Sequence, residues 1–208
     1  MRLRSLALLL AGLMSCRSAL AASCAPPWQE PGSSAQREPS VVAAPSPREA
    51  HAAGVGRFVA DAVGQDLEGN PRSWRSGRGE RLTVVALTSV TCPLCRKFAP
   101  SLARIEAAYA EQGVRFVFVN VSGTDTIDAM RAQVAAQGFR GLYLADADQQ
   151  FVMTLQARTT TEVFVIDAGN TLVYRGAVSD QHGIGFSHEE PRQRYLERAL
   201  DAALQRQL

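Results

Sequence analysis

The chain has 208 residues, of which 46% are hydrophobic, 20% charged and 7% aromatic, a composition that suits a globular protein and excludes a collagen, a coiled coil or a wholly disordered chain. Its 22 basic and 20 acidic side chains nearly cancel, and without Arg2 and Arg4 they balance, so no polyanion or nucleic-acid partner is expected. Lys97 is the sole lysine, and the scattered arginines form neither a run nor a stripe interleaved with aromatics.

Residues 1–24 carry Arg2 and Arg4, then an apolar stretch from Leu6 to Met14, then small residues. That is the order of an export signal, and the apolar stretch is too short to span a bilayer. Two cleavage readings compete. Leu13-Met14-Ser15-Cys16 resembles a bacterial lipobox, which implies lipidation of Cys16 and a membrane-anchored lipoprotein on the periplasmic side. Ala19-Leu20-Ala21 fits the small-residue cleavage pattern and would release a soluble periplasmic or secreted protein near Ala22, with Cys24 in its tail. Residues 25–54 are rich in Pro, Ala and Ser, with prolines at 26, 27, 31, 39, 45 and 47. Such a stretch buries too little surface to offset chain ordering and reads as a disordered linker. Residues 55–208 remain as one domain.

Val84-Val85-Ala86-Leu87 and Val114-Arg115-Phe116-Val117-Phe118-Val119 are apolar, β-branched and aromatic runs expected to be strands covered on both faces. Between them Phe98, Leu102, Ile105 and Tyr109 recur at helical spacing, and strand, helix, strand in that order predicts a right-handed parallel crossover. A second helix is expected from about Thr126 to Gln137, capped by Asp125 and ended near Gly138. Residues 162–166 and 171–174 flank Asp167-Ala168-Gly169-Asn170 as an antiparallel hairpin. Pro191 is expected to open a final helix with Leu196, Leu200, Ala203 and Leu204 on one face.

The chemistry concentrates at Cys92-Pro93-Leu94-Cys95-Arg96-Lys97, at the seam of the first core strand and its helix. There Cys92 meets unpaired backbone N–H groups and the positive end of the helix dipole, both of which favour a thiolate. Pro93 suits the first turn, Arg96 and Lys97 add positive charge, and the Pro93-Leu94 dipeptide tunes the couple. Cys95, about one turn later, is placed to bridge Cys92 and to lie further from solvent. Cys92 then attacks a disulfide or an oxidised sulfur and Cys95 resolves the product. A zinc site lacks two further ligands, because the other cysteines are in the leader and His51, His182 and His188 have no paired spacing. A purely structural disulfide closing so short a loop would stabilise little.

With these features placed, residues 55–208 resemble the thioredoxin-like superfamily, and most closely its redoxin branch of exported thiol-disulfide oxidoreductases and alkyl hydroperoxide reductase or thiol-specific antioxidant proteins. Gly64-Gln65-Asp66-Leu67-Glu68-Gly69-Asn70-Pro71 is similar to an opening hairpin, Val163–Asp167 with Tyr174-Arg175-Gly176 to the late hairpin, and Asp180–Gly185 to the loop before the last helix. The resemblance implies an α/β thioredoxin-like fold, a central mixed sheet flanked by helices with an N-terminal hairpin extension. It also implies a monomer that needs no cofactor or metal and exchanges with client protein thiols or disulfides and an upstream thiol reductant. The family's cis-proline aligns with Thr161, so Thr160 and Thr161 are the substrate-facing loop. The buried acid six residues before the first Cys is replaced by Ala86, and no carboxylate is assigned to Cys95.

Three functions follow from that resemblance. The first is a thiol-disulfide oxidoreductase. The second is a peroxiredoxin-like peroxidase, with Cys92 peroxidatic, Cys95 resolving and Arg158 or Arg175 as the thiolate partner. The third is a copper chaperone like the Sco proteins, which the missing His before the late hairpin and the narrow Cys spacing disfavour.

Overall fold

A computed structural model describes residues 49–206. The expected export signal, Cys16, Cys24 and all but the end of the expected linker lie outside the described residues. That end contributes a single 3-10 turn, His51–Ala53, before the chain joins the domain where the Gly56 N–H donates to the Leu172 carbonyl.

Seven strands form one mixed sheet. In chain order they are β1 (Val63–Gln65), β2 (Pro71–Ser73), β3 (Leu82–Thr88), β4 (Val114–Asn120), β5 (Leu142–Ala145), β6 (Val163–Asp167) and β7 (Leu172–Gly176), and across the sheet they run β2-β1-β5-β4-β3-β6-β7. β3, β4 and β5 are parallel, while β6, β7 and the β1/β2 hairpin run antiparallel. Every residue of β3 is buried, because the alternation of side chains sends Val84 and Ala86 into one core and Val85 and Leu87 into the other. β4 divides the same way, with Phe116 and Phe118 against Val117 and Val119. Each large side chain so buried contributes about 1.5–3 kcal/mol.

Helices α1 (Pro93–Tyr109), α2 (Ile127–Gln137) and α4 (Tyr195–Arg206) send their buried apolar residues into the first core. Short α3 (Gln150–Leu155) and Trp74 close the second. The expected stripe of α1 is its buried face: Phe98, Leu102, Ile105 and Tyr109. Pro100 lies inside this helix, on its exposed side, where the missing N–H costs least.

The fold class is the expected one, and several details differ from the sequence reading. Asp125 is not the cap of α2; the Thr126 hydroxyl accepts from the Ala129 N–H at 3.3 Å instead. Gly138 ends that helix in the left-handed region, φ 70°, as its position suggested. α4 begins at Tyr195 rather than at Pro191, since the Gln193 N–H is taken at 2.8 Å by the Asp180 carboxylate of the preceding loop. β5 and α3 were not expected at all, nor was the small hairpin of β8 (His182–Gly183) and β9 (Phe186–Ser187). The opening hairpin is present and extends the sheet, with Gln65 of β1 opposite Ala145 of β5.

Candidate active site

β3 ends at Thr88, opposite Asn120 of β4. The chain turns through Ser89–Thr91 and enters α1 with Cys92 as its N-cap, φ −74° and ψ 119°, the Cys92 carbonyl accepting from the Arg96 N–H at 3.1 Å. Pro93 occupies the first helical position, where no intrahelical donor is needed. The Cys92 side chain makes no capping hydrogen bond, but the nearby N–H groups of Leu94 and Cys95 favour its thiolate. Both cysteines are free thiols; Cys92 is half-buried and Cys95 is 4% exposed.

Thr160, in the loop before β6, meets both sulfurs. Its hydroxyl donates to Cys92 Sγ at 3.3 Å, and its carbonyl accepts from the Cys95 thiol at 3.0 Å. The two thiols consequently differ in acidity. Burial pushes Cys92 up, but the Thr160 hydroxyl, the Cys95 N–H, the Cys95 thiol and the Leu94 N–H outweigh it and hold Cys92 below the ordinary thiol value. Burial dominates at Cys95 and, helped by the neighbouring Cys92 sulfur, pushes it up to about 12. One sulfur is poised to ionise and the other is kept protonated. The groups that lower Cys92 most are neutral donors; Arg96 and Lys97, expected from sequence to supply the stabilising charge, are exposed and not among them. Thr161 is half-buried in the same turn, but Thr160 is the residue that reaches both sulfurs.

The Thr160 loop is itself held. Arg175 of β7 pairs with Glu162 through Nε to Oε1 at 2.8 Å and Nη2 to Oε2 at 3.2 Å, the two side chains being 6% and 14% exposed. Arg175 Nη2 also donates to the Gln156 carbonyl at 2.6 Å, and Glu162 accepts from the Arg158 N–H at 2.8 Å. The guanidinium lies over the Phe164 ring, 5.4 Å from its centroid. The Arg175 guanidinium is thus engaged by Glu162 rather than by the Cys92 thiolate, contrary to the role the peroxidase reading offered it, while Arg158 meets Glu162 through its backbone N–H alone.

Sequence reading missed Asp125 as a site residue. From the β4–α2 loop its carboxylate accepts from the Ser89 hydroxyl at 2.9 Å, the Asn120 amide at 2.9 Å and the Val90 N–H, pinning the turn that delivers Cys92. Burial raises Asp125, but these donors and the Thr91 hydroxyl lower it further, so it is held below the usual carboxylate range. Asn120 continues the network to the Tyr143 hydroxyl at 3.4 Å, which donates to Gln133 at 2.7 Å. The local pattern marks Asp125 only as a helix cap, and its partner Ser89 lies 36 residues away.

The Redoxin family model matches residues 55–191. The chain belongs to the Redoxin family. No curated protein matches it. Among solved structures, this redoxin is similar to a hypothetical protein from Sinorhizobium meliloti 1021, at 29% identity and a TM-score of 0.65, over 73% of this chain and 84% of that one. An uncharacterized conserved protein from Geobacillus kaustophilus matches at 23% identity and a TM-score of 0.65, over 73% and 82%. A secreted Mycobacterium tuberculosis disulfide oxidoreductase homologous to E. coli DsbE matches at 20% identity and a TM-score of 0.51, over 70% and 95%. These likenesses show a thioredoxin-like fold.

Beside Cys92 the redoxin carries an open cleft of about 720 Å³ between α1 and α2, floored by Val90, Pro93, Ala132 and Ala136 and banked by Arg96 and Lys97. On the far side of α1, His182 sits with its ring edge-on to Phe98 at 5.1 Å and its Nδ1 2.8 Å from the Ser187 hydroxyl. Burial, Lys97 and His188 together lower its pKa. Among the described residues no group of three or more His, Cys, Asp and Glu is gathered to hold a metal ion, and no helix is long and apolar enough to cross a membrane.

Proposed function

We propose that this redoxin is an exported thiol-disulfide oxidoreductase whose working couple is Cys92 and Cys95. The observation that carries the reading is the meeting of one thiol of lowered pKa and one of raised pKa on a single residue, Thr160. The Cys92 thiolate attacks one sulfur of a client disulfide, forming a mixed disulfide and expelling the other client sulfur as a thiolate that takes up a proton. Cys95 then gives up its proton and attacks Cys92 Sγ, releasing the second client thiol. The client gains two electrons, and the Cys92–Cys95 disulfide is returned to the dithiol by an upstream thiol reductant. Burial is the main cause of the raised Cys95 pKa and the Cys92 sulfur a smaller one, so forming the mixed disulfide eases the ionisation of Cys95 only in part.

Export is supported by the leader's charged, apolar and small-residue order, and tethering by the lipobox-like Cys16 followed by a Pro-rich stretch. A secreted oxidoreductase on the same fold agrees with that placement. The peroxidase alternative needs a cation on the thiolate, and of the two arginines it invoked, Arg175 is engaged by Glu162. Reduction of insulin by dithiothreitol tests the main reading. The full chain should speed precipitation of the freed insulin chain, and Cys92→Ser should not; a wild type no faster than Cys92→Ser rejects it.

A further inference from the structure

Thr160 meets the two sulfurs through its own hydroxyl and carbonyl. A loop residue placed against two sulfurs loses backbone entropy of about 1–2 kcal/mol. Something must hold it there. Residues 156–162 are fixed at both ends by one guanidinium. Arg175 Nη2 grips the Gln156 carbonyl at the start of the segment, and Nε and Nη2 grip the Glu162 carboxylate at its end. Glu162 also closes the loop on itself through the Arg158 N–H, and its carbonyl accepts from the Leu87 N–H of β3 at 3.0 Å. The anchor is rigid in turn: Arg175 stands on β7 opposite Phe164 of β6 and stacks on that ring.

We propose that the Glu162–Arg175 pair is a positioning device that holds Thr160 against Cys92 and Cys95, and so sets the reactivity of the couple. The inference rests on the oxidoreductase reading for its purpose but not for its test. Neither charged group is among those that principally shift Cys92, whose neighbours are Thr160, Cys95 and the Leu94 N–H. The pair acts through Thr160, two residues before Glu162. A planar fork suits this work because it fixes carboxylate and carbonyl in one plane, which an ammonium does not.

The sign of two substitutions separates positioning from a through-space field. Loss of the Glu162 charge by itself would make a nearby thiolate easier to form, and loss of the Arg175 charge would make it harder. A positioning device gives one direction for both, because either change lets Thr160 leave Cys92. The Cys92 thiolate is titrated by its ultraviolet absorbance and by its rate of alkylation with iodoacetamide, in the reduced full chain carrying Cys16→Ser and Cys24→Ser so that no leader thiol contributes. Glu162→Gln and Arg175→Met should each raise the midpoint by about one pH unit, which is about tenfold less thiolate below it. On a Thr160→Val background, Glu162→Gln should add nothing, since the hydrogen bond it protects is already gone. Should Arg175→Met not fold, Arg175→Lys serves, keeping the charge and losing the fork. Opposite shifts, unchanged midpoints, or full additivity with Thr160→Val would each overturn the proposal. Insulin reduction by the wild type is measured alongside: a shifted thiolate in a protein that reduces no disulfide rejects the oxidoreductase reading and leaves the positioning pair standing.

Discussion

Thr160 and Cys92 are 68 residues apart in the chain and 3.3 Å apart in the fold, the hydroxyl of one donating to the sulfur of the other. This contact joins the two halves of the site: a sulfur delivered by the β3–α1 junction and a loop delivered by β6. A hydrogen bond to a charged acceptor contributes about 1.5–3 kcal/mol, enough to decide whether a thiol is ionised near neutrality.

Thr160→Val keeps the shape and removes the donor. The midpoint of Cys92 should rise by about one to two pH units, with the melting temperature little changed. Absorbance titration near 240 nm of the reduced protein reads it. With Cys16 and Cys24 changed to serine, the protein should show one thiolate step below the ordinary thiol value, because Cys95 is pushed up to about 12. A second step below pH 9, or no change in Thr160→Val, contradicts the assignment of Thr160 as the controlling donor.

Asp125 ties acid stability to the site. Its folded pKa lies below the usual carboxylate range, so its stabilising effect is present above the unfolded value and is lost as pH falls from about 4 through the folded value. Ser89, Asn120 and Val90 all donate to Oδ2, so Asp125→Asn can keep an oxygen there but loses the charge and buries an amide NH2 at the partnerless Oδ1 position, and should cost about 1–3 kcal/mol at pH 7. Urea unfolding at several pH values checks both statements: the variant should be less stable at pH 7, and the gap should narrow by pH 2. A gap that widens on acidification rules out an ionised Asp125 in the folded protein.

At the alkaline end Cys95 has the opposite sign. A thiol whose folded pKa is raised contributes stability that is intact below the ordinary value near 9 and is lost as pH climbs toward about 12. Tyr109, Tyr143 and Tyr174 are also pushed up by burial, so the reduced protein should unfold steeply in this range. Cys95→Ser leaves the tyrosines and removes the thiol. Between pH 9.5 and 11 its stability should therefore fall less steeply, by up to about 1.4 kcal/mol per pH unit. Parallel curves for the two proteins in denaturant titrations under reducing conditions would show that Cys95 ionises freely in the folded state.

The sequence by itself determined what is local and periodic. The apolar runs at 84–87 and 114–119, the four-residue stripe of α1, and a Cys-Pro-Leu-Cys at a strand-to-helix seam are legible because hydrophobic alternation, helical spacing and helix-end chemistry act over a few neighbouring residues. β5 with four residues and α3 with six are too short for a period to register, and α4 starts late because Asp180 takes a backbone donor that local rules would assign to the helix. The tertiary structure decided which groups surround the sulfurs. Thr160, Glu162, Arg175 and Asp125 come from two connections and a strand, and each meets its partner only because the sheet order sets β6 and β4 on either side of β3. Proximity of that kind is a property of the packed sheet, where the burial that raises Cys95 and the donors that lower Cys92 are brought to the same place; no stretch of sequence contains both.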